Sequence, residues 1–169
     1  APAGLDVPET VFDQIKSLKN LEAEHGSRWL YRSIETDVLG HCLERKTGIK
    51  LAELLSQHIW QPMGASHTAR FTVDKSGYAT ADGGLTATLR DYARFGLLYL
   101  HEGKNLAGEQ VIPRDWVNET RQGNHQHFAQ TGSIGLPDGA YRNQFWIEDS
   151  TERALMCVGI FGQLIYIHP

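Results

Sequence analysis

The chain has 169 residues, of which 41% are apolar and 21% charged, and a formal charge of −4. That composition argues against intrinsic disorder and predicts one globular domain burying roughly 68–70% of its unfolded surface. Lysine and arginine are scattered among the acids, so neither nucleic acid nor an anionic bilayer is expected as a partner; no apolar run approaches the ~18 residues of a spanning helix.

In chain order, the first ten residues, APAGLDVPET, carry neither the basic nor the apolar segment of a secretory leader. Nothing in the composition assigns a compartment. In TDVLGHCLERKTG, Val38, Leu39, Cys42 and Leu43 recur at helical spacing, Lys46 falls in the last turn and Gly48 stands as the stop. Leu51, Leu54, Leu55 and Ile59 form a second stripe that Pro62 ends. In GGLTATLRDYARFGLLYLHEGK, Thr88 and Asp91 resemble a capping box, and Leu89, Ala93, Gly96, Leu97 and Leu100 mark one face of a helix that stops at Gly103. IPRDWVNETRQG reads as a shorter helix with Pro113 at its first position. Asp82, Gly83 and Gly84 are read as the turn leading into the long helix. The polar, glycine-rich stretch from Gly123 to Gly139 reads as a long loop. Three strand candidates follow, YRNQFWIED, RALMCVGI and QLIYIHP, with turn residues at Ser150 to Glu152 predicting an antiparallel hairpin.

The organisation this predicts is one domain over 1–169: mainly helical to about 122, loop over 123–140, antiparallel strands over 141–169. Helices first and strands last is an α+β order. Cys42 and Cys157 stand in neither a Cys-x-x-Cys nor a zinc spacing and are expected as buried, reduced thiols. His125 and His127 form a His-x-His in a loop without further ligands, so they read as a solvated pair and no metal or cofactor is expected; the alternative is that they line a substrate cleft. A late sheet ending on the apolar strand QLIYIHP leaves a bare edge, which predicts self-association, a complementary chain, or membership of a larger structure.

The spacing Trp29-x-Tyr31-x-Ser33, then Thr36-Asp37-x-Leu39-Gly40 and Glu44-Arg45-x-Thr47-Gly48, is followed in order by IWQPMGA, FTVD, GGLTATLRDYARFGLLYL, QVIPRDWV, DGAYRNQFW and GIFGQLIYIHP. Together these resemble the serine β-lactamase and penicillin-binding-protein superfamily, and within it the 6-aminohexanoate-dimer hydrolases and class C-like carboxylesterases. The resemblance implies an α/β fold in the broad sense, β-lactamase/transpeptidase-like, here a helical region plus an incomplete antiparallel sheet. It also implies hydrolysis of small amides or esters through an acyl-enzyme, without a cofactor. By the same match, Tyr31 is the tyrosine that shares proton handling with a lysine, and a phenol with a reference pKa near ~10 needs such a cation beside it. The backbone N–H of Ile160 is the second oxyanion donor. Weaker substrate contacts fall to Ser33, His125, Gly159, Phe161, Gly162 and Gln163, with Ser33 read equally as a helix cap and the two glycines as places where the strand approaches substrate closely.

Three departures shape the expectation. None of the eight serines has lysine three residues later, so the Ser-x-x-Lys nucleophile is absent from these residues and is expected upstream of them. Ser33 stands where many relatives carry asparagine, and a hydroxyl replaces only part of an amide's hydrogen bonding. CVGIFG occupies the region of the Lys-Thr-Gly motif, which favours amide or ester substrates over penicillins. Two readings stand: part of a serine hydrolase, inactive by itself, or a non-catalytic scaffold that associates through its strand edge.

Overall fold

In a computed structural model, residues 7–125, 128, 135–149 and 151–169 are described. They form two compact units, each built from separate stretches: Ala1–Glu22, Tyr31–Leu55 and Ala69–Thr86 in the first; Ala23–Leu30, Ser56–Thr68 and Ala87–Pro169 in the second.

The first unit holds α1 (Val11–Ser17), α2 (Ser33–Thr47), α3 (Leu51–Leu55) and the two-stranded pair β1 (Arg70–Phe71) and β2 (Leu85–Thr86). Thr10 caps α1, its Oγ1 accepting the Asp13 N–H at 3.1 Å. Gly48 ends α2 as expected, at φ 72, with its N–H on the Glu44 carbonyl. The expected inward stripe of α2 is corrected: Leu39 and Leu43 are 55% and 51% exposed, Cys42 is exposed, and Asp37 and Gly40 are the buried positions. Asp37 accepts the Ala81 N–H at 2.7 Å, and its carbonyl accepts the Tyr78 hydroxyl at 3.0 Å. These polar anchors, with a glycine that admits close contact, decide which face of α2 turns inward. Burial and then the Asp37 charge push the Tyr78 phenol up to about 12, so it stays a donor.

In the second unit a π-helical turn, Ser56–Trp60, precedes the break that Pro62 was expected to make, and the buried Trp60 donates from Nε1 to the His67 carbonyl at 2.9 Å. The unit continues with α4 (Leu89–Leu100), α5 (Arg114–Gln122), β3 (Ala140–Arg142), β4 (Phe145–Ile147), β5 (Leu155–Val158) and β6 (Leu164–Ile167). The four strands form one antiparallel sheet in the order β3-β4-β5-β6. The capping box at Thr88 is present, its Oγ1 accepting the Asp91 N–H at 3.2 Å. The face of α4 again differs from the expected stripe, since Leu89 and Ala93 are exposed while Asp91, Gly96, Leu98 and Tyr99 are buried. Gly96 is the point where α4 meets the sheet, a Cβ there standing 3.2 Å from the Ile165 side chain. Pro113 is the N-cap of α5, one place before its expected position.

YRNQFWIED, expected as one strand, is a hairpin: β3 and β4 fold back on Asn143 and Gln144, both at positive φ (51° and 71°). That backbone matches a two-residue turn of the type usually marked by Asn-Gly. Here the Asn143 amide donates to Thr120 Oγ1 of α5 at 3.0 Å, a tertiary bond that compensates for the missing glycine. Of the two cysteines expected to be buried, Cys157 is half-buried, its thiol pushed up to about 12 by desolvation, and Cys42 faces solvent on α2.

Each unit contains a carboxylate whose pKa is held low by hydrogen bonds. In the first, burial pushes the Asp74 carboxyl up, but bonds from Ser76, the Val11 N–H and the Tyr78 N–H outweigh it and hold the group at about 2. In the second, Asp91 accepts from the Ser66 and His67 backbone, the Thr88 hydroxyl and Arg94, which together hold its carboxyl well below the usual range. A group whose folded value is depressed stabilises the fold above its unfolded value, near ~3.9, and loses that contribution on acidification. The denaturation midpoint is therefore expected to hold between pH ~7 and ~5 and to fall below pH ~4. Asp91→Asn and Asp74→Asn should each lower stability at neutral pH and flatten the acid slope. Followed by circular dichroism, an equally steep slope in both variants would remove these two carboxylates from the account.

Candidate functional site

Tyr31 lies in the first unit, two residues ahead of α2, with its side chain 48% exposed. The extended backbone at Arg32, φ −142, carries it out of the helix, and the Arg32 guanidinium is tied to Glu22 at 2.7 Å. Ser33 is not a cap. It is the first residue inside α2, exposed, while Arg32 occupies the N-cap position without a side-chain bond, because the helix begins one residue before the sequence signal predicts.

The other predicted residues are in the second unit. GIFGQ, expected as strand, is the five-residue turn between β5 and β6, closed by the Val158–Leu164 pair. The Gly159 N–H donates to the Gln163 carbonyl at 2.8 Å and the Gly162 N–H to the Gly159 carbonyl at 3.1 Å. Gln163 also folds its side chain back, Oε1 accepting the Phe161 N–H at 3.1 Å. Both glycines serve this geometry: a Cβ on Gly159 would fall 2.4 Å from Gln163 Oε1, and Gly162 sits at φ +85. Ile160 and Phe161 project at its tip, 92% and 87% exposed, and among the described residues the Ile160 N–H has no hydrogen-bond partner.

His125, exposed, sets Nδ1 3.1 Å from the Gly139 carbonyl, bridging the two ends of the loop; His127 lies outside the described residues. Among the described residues no three His, Cys, Asp or Glu side chains are grouped as metal ligands. No described helix is long and apolar enough to cross a membrane. One feature not expected from the sequence is the aromatic cluster of Trp29, Phe128, Tyr141 and Trp146 in the second unit, with Trp29 edge-on to the other three at 5.0–5.6 Å between centroids. Trp29 belongs to the second unit and Tyr31 to the first.

A profile of the Beta-lactamase family matches residues 2–169. The chain belongs to the beta-lactamase family. Within that family it is 32% identical over 160 residues to the 6-aminohexanoate-dimer hydrolase of Paenarthrobacter ureafaciens, covering 93% of this chain and 41% of that protein. A candidate 6-aminohexanoate-dimer hydrolase from Bacillus anthracis superposes with a TM-score of 0.87 at 32% identity, over 99% of this chain and 42% of that one. The chain thus spans about two fifths of the length of these two beta-lactamase-family relatives. The fold is shared more distantly with a candidate beta-lactamase from Bacteroides dorei (TM-score 0.71, 19% identity, 99% of this chain and 55% of that one). It is also shared with an octameric penicillin-binding protein homologue from Pyrococcus abyssi (TM-score 0.64, 18% identity, 88% and 37%).

Proposed function

We propose that the chain is part of a serine hydrolase acting on small amides or esters, of the 6-aminohexanoate-oligomer or carboxylester type, through an acyl-enzyme. The observation that carries this reading is the Ile160 N–H, which the β5–β6 ladder leaves unused at a turn built around it, in a chain 32% identical to a 6-aminohexanoate-dimer hydrolase. A backbone donor that is fixed but unpaired is suited to receive developing negative charge without reorganisation.

In the proposed reaction a serine Oγ attacks the substrate carbonyl carbon, and its proton passes to the lysine–tyrosine pair that includes Tyr31. The Ile160 N–H and the nucleophile's own N–H hold the oxyanion. Collapse expels an amine or alcohol, protonated from Tyr31, and water then cleaves the acyl-enzyme. Exposure of Tyr31 supports a phenol that substrate can reach. Ser33, His125, Gly159, Phe161, Gly162 and Gln163 are assigned to substrate contact or to shaping the turn. The nucleophile itself is placed outside these residues, since none of the eight serines has lysine three residues later.

Fluorophosphonate labelling tests this directly: the 169-residue chain is expected to take up no probe and to leave p-nitrophenyl esters intact, and the reading frame 5′ of the Ala1 codon to encode a Ser-x-x-Lys. Specific labelling of any serine in the chain would overturn the assignment of the nucleophile. A second reading, a non-catalytic scaffold, is favoured by the outer strand β6, whose Leu164 and Tyr166 are exposed. It requires a start codon at Ala1 and a self-associated species in size-exclusion chromatography.

A further inference from the structure

We propose that the first unit carries a second binding site, separate from the hydrolase chemistry, that takes a small aromatic carboxylate in the cavity between α1 and α2. The cavity measures about 280 Å3 and is lined by Phe12, His41, Glu44 and Arg45. The site is more open than enclosed, so that volume suits a ligand of one ring that stays partly in solvent.

Its polar groups are not equivalent. The Glu44 carboxylate is already committed, Oε1 accepting the Leu51 N–H at 2.8 Å and Oε2 facing Lys50 Nζ at 3.4 Å. Arg45 makes no ion pair among the described residues, which leaves a planar, two-pronged donor at the cavity. The His41 ring is held by stacking on Tyr78, 3.7 Å between centroids and 8° from parallel. Tyr78 is in turn locked by its bond to the Asp37 carbonyl. This places His41 Nε2 in an enclosed position with no hydrogen-bond partner. Phe12, tilted against His41 at 5.4 Å, supplies the apolar wall. One uncommitted guanidinium, one imidazole ring and one phenyl face, beside a carboxylate already bonded to Lys50 and to the Leu51 N–H, select a planar anion with an apolar body.

Titration of the 169-residue chain with benzoate, benzamide and acetate, followed by amide chemical shifts in NMR, tests the proposal. Benzoate is expected to shift residues around His41, Glu44 and Arg45 with a dissociation constant on the order of 1 mM. It should bind at least fivefold more tightly than benzamide, which lacks the charge, or acetate, which lacks the ring. Arg45→Gln, a solvent-facing change that leaves the fold intact, should abolish the preference over benzamide. Phe12→Ala should abolish the preference over acetate. Absence of shifts at 10-fold that concentration, equal affinity for the three ligands, or a preference unchanged by Arg45→Gln overturns it.

Discussion

Gly103→Ala is expected to destabilise the second unit by about 3–5 kcal/mol, the upper end of what single substitutions do. Gly103 is buried at φ +88, three residues past the end of α4, in a conformation that L side chains rarely adopt. Its N–H donates to the Leu98 carbonyl, and its carbonyl accepts from both the Val111 and Ile112 N–H groups. A Cβ would lie 1.9 Å from the Ile112 carbonyl oxygen and 2.9 Å from its carbon, backbone atoms that no rotamer change can move aside. The substitution must therefore pull apart the Gly103–Ile112 contact and release the start of α5. By thermal unfolding the midpoint should drop by about 10 °C or more. A variant melting within ~1 °C of the parent would show that the two segments do not approach this closely.

Gly40→Ala tests the first unit, and its expected sign runs against intrinsic preference. Inside a helix alanine is favoured over glycine by about 1 kcal/mol, so with open space the change would stabilise α2. A Cβ at Gly40 would instead meet the Tyr78 hydroxyl oxygen at 2.3 Å and the Ala81 Cβ at 3.0 Å. Overpacking of this kind costs about 1–3 kcal/mol, and the net effect should be a loss of about 1–2 kcal/mol. Tyr78→Phe removes the obstructing oxygen along with its bond to the Asp37 carbonyl, for about 1 kcal/mol alone. The double variant should then be less destabilised than the sum of the two, with a coupling of at least about 0.5 kcal/mol. Strict additivity in a denaturation cycle would place the hydroxyl away from Gly40.

Local signals predicted α2, α4 and α5 because their determinants are local, while α1, capped by Thr10, was not anticipated. Thr88 with Asp91, Gly48 and Pro62 act through bonds and φ values within a turn of where they stand, so α2, α4 and the break after Trp60 could be placed within a few residues. The same reading misplaced what those helices bury. On α2 it marked Val38, Leu39, Cys42 and Leu43, of which only Val38 is not exposed, and the structure buries Asp37 and Gly40, because a tyrosine and a backbone N–H some forty residues later in sequence set the contact. The β3–β4 turn was hidden for a related reason: Asn143-Gln144 is a weak turn signal by itself, made workable by Thr120 on a helix the local pattern does not see.

The candidate site divides along the same line. Order and spacing of motifs identified the beta-lactamase family from Trp29 onward, since family membership is written in the residues themselves. The resemblance also points to the backbone of GIFGQ, where the sequence shows two glycines. What it could not supply was the reason: a turn that folds Gln163 back over Gly159 and leaves the Ile160 N–H unpaired depends on how two strands register, Val158 opposite Leu164. Helix limits, stops and kinship were settled by neighbours along the chain. Which faces are covered, which donors stay free and which carboxylates are held ionised were settled by groups distant in sequence, because burial and hydrogen bonding depend on proximity in space.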